Sequence, residues 1–391
     1  MTPIHEIQSA LREIGLDGWL FFDHHHRDPL AYRVLRFEAA QMPTRRWYYL
    51  IPAEGEPSGL VHNIEPNVLS ALPGAMRRYS GWRTQQNSLR ELLGSCRNVA
   101  MQYSPLCAIP YVSMIDAGTV ELVRSCGVEV HSSANLIQLF ESAWDEAKLE
   151  SHLEAGRRVD RVRHSAFELV RERLRQQIAT TEYEIKQFIL HQFRESGLVT
   201  DHGPIVAVNE NAANPHYEPS QSVHSPIQPG DLLLLDMWAK LDQPHSTFYD
   251  ITWTGFCGAS APSDVANVFD TVRLARDQAI ALVQRRVSAR QELRGFEVDD
   301  AARQVIEQAG FGPQFVHRTG HSIGEEVHGS GANMDNLETH DERLVLPMSC
   351  FSIEPGIYLK AFGIRLEVDL FVDQDRARVT GEKQEQLVLL M

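Results

Sequence analysis

The stretch "HRTGHSIGEEVHG" (317–329) holds three histidines, two glutamates and three glycines. Imidazoles and carboxylates bind divalent cations, and they also serve as general acids and bases. Four more acids stand in apolar, strand-like runs: Asp236 closes "LLLLD", Asp250 lies in "FYDITW", Glu354 in "FSIEPG" and Glu367 in "IRLEVDLFV". A buried carboxylate must be paired, hydrogen-bonded, protonated or bound to a metal. Four in one pocket would repel one another strongly, and two divalent cations would cancel their charge. Any one of these acids alone reads as a cap, a surface residue or an ion-pair partner. The metal reading rests on all four acids together with the histidines.

The rest of the chain has to position those groups. Its 391 residues suggest two domains, and 43% hydrophobic with 23% charged residues is ordinary for a globular protein. A formal net charge of −15 disfavours phosphate backbones and anionic lipid, so no nucleic-acid or membrane partner is expected. The five cysteines are widely spaced, without a C-x-x-C pair, and read as reduced thiols of a cytoplasmic protein. No apolar run approaches the roughly 18 residues that a membrane span needs. "MTPIHEIQSALREIG" reads as an amphipathic start rather than a signal peptide.

Residues 4–14 read as a helix, and "GWLFF" (18–22), "RWYYLI" (46–51) and "GLVH" (59–62) as strands of a small α/β domain over 1–140. From Asp145 the three-and-four spacing of Leu149, Leu153, Val159, Val162, Ala166 and Leu169 predicts a long amphipathic helix. A second helix starts near Thr181, with Glu184 in the capping-box position, and ends before Gly197. Strands are expected at 204–209, 231–239, 249–256, 349–358 and 363–372, and helices at 263–286 and 297–309. The expected fold class is α/β (α+β), with a second domain over 141–391. Glycines 320 and 324 are read as keeping the backbone loose around the histidines. "DHHHRD" (23–28) reads as a polar turn after a strand, because adjacent histidines rarely converge on one ion. No H-E-x-x-H, G-x-S-x-G, P-loop or dinucleotide fingerprint is present.

"LLLLDMWAK…YDITWTGF", "HRTGHSIGEEVHG", "SIEPGIY" and "GIRLEVD", in this order, resemble the pita-bread metallopeptidases, together with "PIVAVNENAANPHYEPS" and the long helix before it. The resemblance covers about residues 145–391, and the two-domain layout is similar to the aminopeptidase P and prolidase branch. It implies a creatinase-like N-terminal domain and a C-terminal catalytic domain. It also implies a centre for two divalent ions, with Asp236 on one, His321 and Glu354 on the other, and Asp250 and Glu367 bridging both. Four carboxylates and one imidazole make an oxygen-rich site that suits Mn²⁺ or Co²⁺ and tolerates Zn²⁺.

The implied reaction is hydrolysis of the Xaa-Pro bond of a proline-containing dipeptide, with aminopeptidase P action on longer peptides as the alternative. A non-peptidase hydrolase or lyase on the same fold, or a silent binding module, is a further alternative. A metal-bound hydroxide would attack the scissile carbonyl, with Glu354 as general base. His216 and His328 would steady the oxyanion, and His317 and Arg365 would stand close behind the ligands. A homodimer or higher homo-oligomer is implied as well. The chain departs from the family at Thr247, where a tyrosine is usual, at Trp253, where an arginine is usual, and in a longer hairpin, "KLDQPHSTF". At Ala332 it lacks an arginine that some prolidases carry.

Overall fold

A computed structural model describes residues 2–37 and 42–391. The chain divides into two units, Met1–Glu141 and Ser142–Met391.

The first unit is built on a six-stranded sheet of β1 (Gly18–Asp23), β2 (Trp47–Pro52), β3 (Ser58–His62), β4 (Ala75–Tyr79), β5 (Asn98–Met101) and β6 (Glu129–Ser132). Its order is β4-β3-β2-β1-β5-β6, parallel at β3/β4, β1/β5 and β5/β6 and antiparallel elsewhere. Helices α1 (Ile4–Glu13), α2 (Pro29–Leu35), α3 (Trp82–Leu93), α4 (Ala117–Arg124) and the short α5 (Ala134–Ile137) accompany it. β1 is buried on both faces, so it reads as a continuous apolar run rather than an alternating one. The "DHHHRD" segment is a turn. Asp23 accepts from the backbone N–H groups of His26, Arg27 and Asp28, and Asp28 caps α2.

The second unit opens with α6 (Glu146–Arg175) and α7 (Glu182–Glu195). Asp145 caps α6 through the Lys148 N–H, and Thr181 and Glu184 form the expected reciprocal box on α7. Val159, Val162 and Ala166 of the predicted stripe are buried on α6, whereas Leu149, Leu153 and Leu169 are only half-buried. The buried face also takes in His152 and Arg163, which a hydrophobic count passes over.

Strands β7 (Leu198–Val199), β8 (Ile205–Val208), β9 (Leu232–Leu241) and β10 (Tyr249–Phe256) follow. Then come α8 (Ser263–Ser288), α9 (Gly295–Gln308), β11 (Ser322–Ile323), β12 (Ser349–Ile353), β13 (Gly356–Tyr358), β14 (Gly363–Arg365), β15 (Val368–Val372), β16 (Ala377–Val379) and β17 (Val388–Leu389). One sheet runs β17-β10-β9-β7, with β8 also on β9; a second runs β11-β12-β15-β16; β13 and β14 form a hairpin.

Two expected strands are each split. The run 349–358 is β12 and β13, separated by Glu354 and Pro355; the run 363–372 is β14 and β15, separated by Leu366 and Glu367. Proline lacks the ladder N–H, which accounts for the first break. Both glutamates send their own N–H outside a regular ladder, Glu354 to Thr319 O at 2.7 Å and Glu367 to Thr252 O at 3.0 Å. The breaks therefore fall at two of the residues that sequence analysis marked for chemistry.

The α6–α7 layer packs on β8, β9 and β10 through Val159, Val162, Phe167, Val170 and Ile185. The α8–α9 layer packs on the β12–β15 side through Val272, Ala275, Val298 and Ile353. Burying each large aliphatic or aromatic side chain contributes about 1.5–3 kcal/mol. These two layers cover the sheets that carry the acids.

Candidate metal centre

Strand register brings the acids together. Along β10, Asp250, Thr252 and Thr254 point the same way, because side chains alternate with period two. Thr252 stands opposite Asp236 in the β9/β10 register. Asp236 lies in the middle of β9 rather than at its end. From the other sheet, Glu367 enters through the β14/β15 break, and the Thr252 hydroxyl donates to its Oε2 at 2.7 Å.

Gly320 positions His321, but not by bending the chain. Its backbone is not left-handed, and a Cβ there would stand 1.9 Å from Ser352 O. Glycine is needed because β12 passes that close. Gly324 has no such neighbour: a Cβ would come no nearer than 3.9 Å to Glu326 O. The Ser352 hydroxyl accepts from the His321 N–H at 3.0 Å and donates toward Glu354 Oε1 at 3.3 Å.

One ligand-type atom from each of Asp250, His321 and Glu367 lies within 4.8 Å of the others, and all three residues are buried. His321 Nε2 is 3.6 Å from Asp250 Oδ2 and 3.5 Å from Glu354 Oε1. Its Nδ1 faces Ser322 O at 3.3 Å, which places the ring proton there and leaves the Nε2 lone pair facing the acids. Asp236 is joined to this group through Arg365, whose guanidinium donates to Asp236 Oδ2, to Thr252 Oγ1 at 3.1 Å and to the Tyr358 hydroxyl at 3.0 Å.

The electrostatics follow from burial. Desolvation first, then the neighbouring carboxylates, drives Asp250 and Glu367 well above the usual carboxylate range. Burial also raises Asp236, with Arg365 opposing, and lifts Glu354 to about 7. The His321 imidazole is held well below its usual value by burial and then by His328, so it stays neutral.

The other sequence-marked residues sit further out. His317 bonds the Tyr358 hydroxyl through Nε2 at 2.7 Å and Arg318 O through Nδ1 at 2.6 Å, so it acts on the acids only through Tyr358 and Arg365. Burial and the Arg365 charge push it down to about 3. The His328 ring meets the His321 ring edge-on at 4.4 Å and reaches solvent. His216 is exposed in the turn after β8, with its backbone N–H on Asn214 Oδ1. A cavity of about 480 Å³ begins at His328 and is lined by Phe248, Val327, Thr200, Asp201 and Glu325 among others.

Sequence reading missed Thr252, Ser352 and Tyr358. Period-two alternation from Asp250 was the available signal for Thr252. Ser352 and Tyr358 are set by contacts between strands distant in sequence, which no local pattern carries.

A model of metallopeptidase family M24 matches residues 150–374, more than half of the 391-residue chain. The chain belongs to metallopeptidase family M24. A Xaa-Pro dipeptidase of Lactobacillus delbrueckii subsp. lactis is 29% identical over 234 residues, 59% of this chain and 56% of that protein. A putative Xaa-Pro aminopeptidase of Mycoplasma pneumoniae is 30% identical over 210 residues, 51% of this chain and 52% of that protein. The chain spans about half the length of the curated relatives it matches. Among solved structures, the dipeptidase PepE from Mycobacterium ulcerans superposes with a TM-score of 0.71 at 23% identity, over 99% of this chain and 96% of that one. That likeness speaks to the fold, the mixed α/β architecture with a pita-bread domain that the motifs implied.

Membership of M24 implies use of a divalent metal, and the donor set fits one. Asp250 Oδ1 is buried without a hydrogen-bond partner, a costly state for a carboxylate oxygen unless a cation faces it. Oxygen donors plus one neutral imidazole match the preferences of first-row divalent ions. Among the described residues no helix is long and apolar enough to cross a membrane.

Proposed function

We propose that this protein is a dinuclear-metal exopeptidase that cleaves the peptide bond before proline, with Xaa-Pro dipeptides as its substrates. The observation that carries the reading is the convergence of Asp250, His321 and Glu367, with Glu354 and Asp236 beside them, around a buried, unpaired carboxylate oxygen. Asp236 would hold one ion, His321 and Glu354 the other, and Asp250 and Glu367 would bridge; Mn²⁺ is the ion this oxygen-rich set favours. Two such ions, when bound, would lower the pKa of a water held there and polarise a carbonyl.

The chain's own groups supply the rest. Glu354, beside His321 Nε2 in the break between β12 and β13, can take a proton on its carboxylate and return it to the leaving nitrogen. His328, at the junction of the centre and the cavity, and His216, on the nearby turn, present N–H donors for the developing oxyanion. Arg365 orients Asp236 directly, and His317 supports Arg365 through the Tyr358 hydroxyl. The cavity has the size of a small-ligand site and can hold a dipeptide. The first unit, over residues 1–140, is assigned the creatinase-like role, and a cytoplasmic homodimer or higher homo-oligomer belongs to the same reading.

Release of proline from Ala-Pro and Gly-Pro, by metal-stripped protein with and without Mn²⁺, tests this. Metal-dependent release is expected. Absence of turnover with Mn²⁺, Co²⁺ and Zn²⁺ removes the peptidase reading. The similarity to a putative Xaa-Pro aminopeptidase supports a second reading, cleavage of longer peptides. Faster turnover of Ala-Pro-Ala than of Ala-Pro would favour it.

A further inference from the structure

Strand β10 carries Asp250, and on its β9 side it is fully paired. On the other side β17 reaches only Gly255 and Phe256. An open edge would leave the outward backbone groups of residues 248–254 without partners. Several of them are met instead, by buried side chains and by one loop N–H. The Phe248 carbonyl faces His152 Nδ1 at 2.6 Å. The Asp250 N–H donates to Asp369 Oδ2 at 2.8 Å. Thr252 O takes the Glu367 N–H, and Gln384 satisfies both the N–H and the carbonyl of Thr254.

The two groups that bracket Asp250 are themselves fixed. His152 is fully buried on α6. A carbonyl can only accept, so Nδ1 carries the ring proton, and Nε2 accepts from the Thr380 hydroxyl at 2.7 Å. Asp369 is 1% exposed on β15, with Oδ2 3.9 Å from His152 Nε2, and its Oδ1 has no hydrogen-bond partner. A buried acid with an unmet oxygen is expensive, and the backbone N–H it grips is that of a residue in the metal centre.

We propose that His152 and Asp369 are positioning residues for Asp250: they replace the missing neighbour strand and fix the backbone from which that carboxylate reaches the ions. The inference rests on the dinuclear reading above. Residues that orient a ligand from behind typically change metal affinity by about 10–100-fold when removed.

Calorimetric titration of Mn²⁺ into metal-stripped protein tests it, with circular dichroism to establish that each variant is folded. Asp369→Leu and His152→Phe should each bind Mn²⁺ at least about tenfold more weakly. Asp369→Asn, whose side-chain oxygen can still accept the Asp250 N–H, should stay near the parent. A folded Leu or Phe variant that binds like the parent overturns the inference. So does an Asn variant as impaired as Leu, since charge rather than positioning would then be at issue. If Asp369→Leu fails to fold, His152→Phe, which keeps a planar ring of similar size, decides alone. A parent protein that binds no Mn²⁺ would instead sink the metal reading itself.

Discussion

Arg365 donates to Asp236 Oδ2 from within the acid cluster, and the same guanidinium reaches Thr252 and Tyr358. It is the fixed positive charge beside Asp236, and it is 4% exposed. Replacing it with methionine leaves a buried carboxylate unpaired, which costs about 3–5 kcal/mol for a broken buried pair. Arg365→Met should therefore lower the urea midpoint of the metal-free protein and weaken Mn²⁺ binding. Lysine should not rescue it, because a point-like ammonium lacks the planar fork whose three separate nitrogens reach these oxygens. Equilibrium unfolding of parent, Met and Lys variants checks both statements.

Glu354 lies in the break between β12 and β13, 3.5 Å from His321 Nε2, with its carboxyl lifted to about 7 first by burial. Glutamine keeps the shape and removes the proton acceptor. Glu354→Gln should lower kcat on Ala-Pro by about 10²–10⁴-fold, the range for loss of a general base. Its melting temperature should stay near the parent's. Steady-state kinetics beside a thermal melt separates the two quantities, and a variant of undiminished kcat would strip Glu354 of its role.

Metal stabilisation should depend on pH in a stated direction. A carboxyl whose folded pKa lies above its unfolded value holds an extra proton when folded. Its contribution in the metal-free protein is present below 4.5 and is lost as pH rises through about 7, in the case of Glu354. The buried imidazoles of His152 and His317, pushed down to about 4 and about 3, run the other way: their contribution is full above 6.5 and fades as pH falls. The difference between loaded and metal-free protein isolates the carboxylates, from which Mn²⁺ must displace protons. The Mn²⁺-induced rise in Tm should be small near about pH 5 and grow as pH rises through about 7. Melting scans with and without Mn²⁺ across that range give the sign directly.

Much of this site was legible because its residues are local marks in strong patterns. The acids interrupt apolar strands, and the alternation along "YDITWTGF" and the capping box at Thr181 and Glu184 need only nearby residues. The break at Glu354 had a local mark in Pro355, whereas the strand break at Glu367 was not legible, because apolar residues continue on both sides of it. Nor was the grip of His152 and Asp369 on β10, which joins residues 96 and 119 positions away in sequence to that strand. His152 sits in a hydrophobic helix face where periodicity counts it as an exception, and its partners, the open strand edge and the Thr380 hydroxyl, both lie far away in sequence.

Two glycines of "HRTGHSIGEEVHG" separate a packing requirement from a conformational one. Gly320 is pressed against β12, so an alanine Cβ would meet Ser352 O at 1.9 Å, backbone that cannot yield cheaply. Moving β12 away would pull on Ser352, which holds the His321 N–H, and on Glu354 two residues later. Gly320→Ala should cost at least the roughly 1–3 kcal/mol of an overpacked core and weaken Mn²⁺ binding with it. At Gly324 the nearest atom would be 3.9 Å away and φ is not left-handed, so Gly324→Ala should stay within about 0.5 kcal/mol of the parent. Urea unfolding of the two variants, each with an Mn²⁺ titration, distinguishes them. Equal effects at both positions would mean that flexibility, rather than the close passage of β12, is what glycine supplies there.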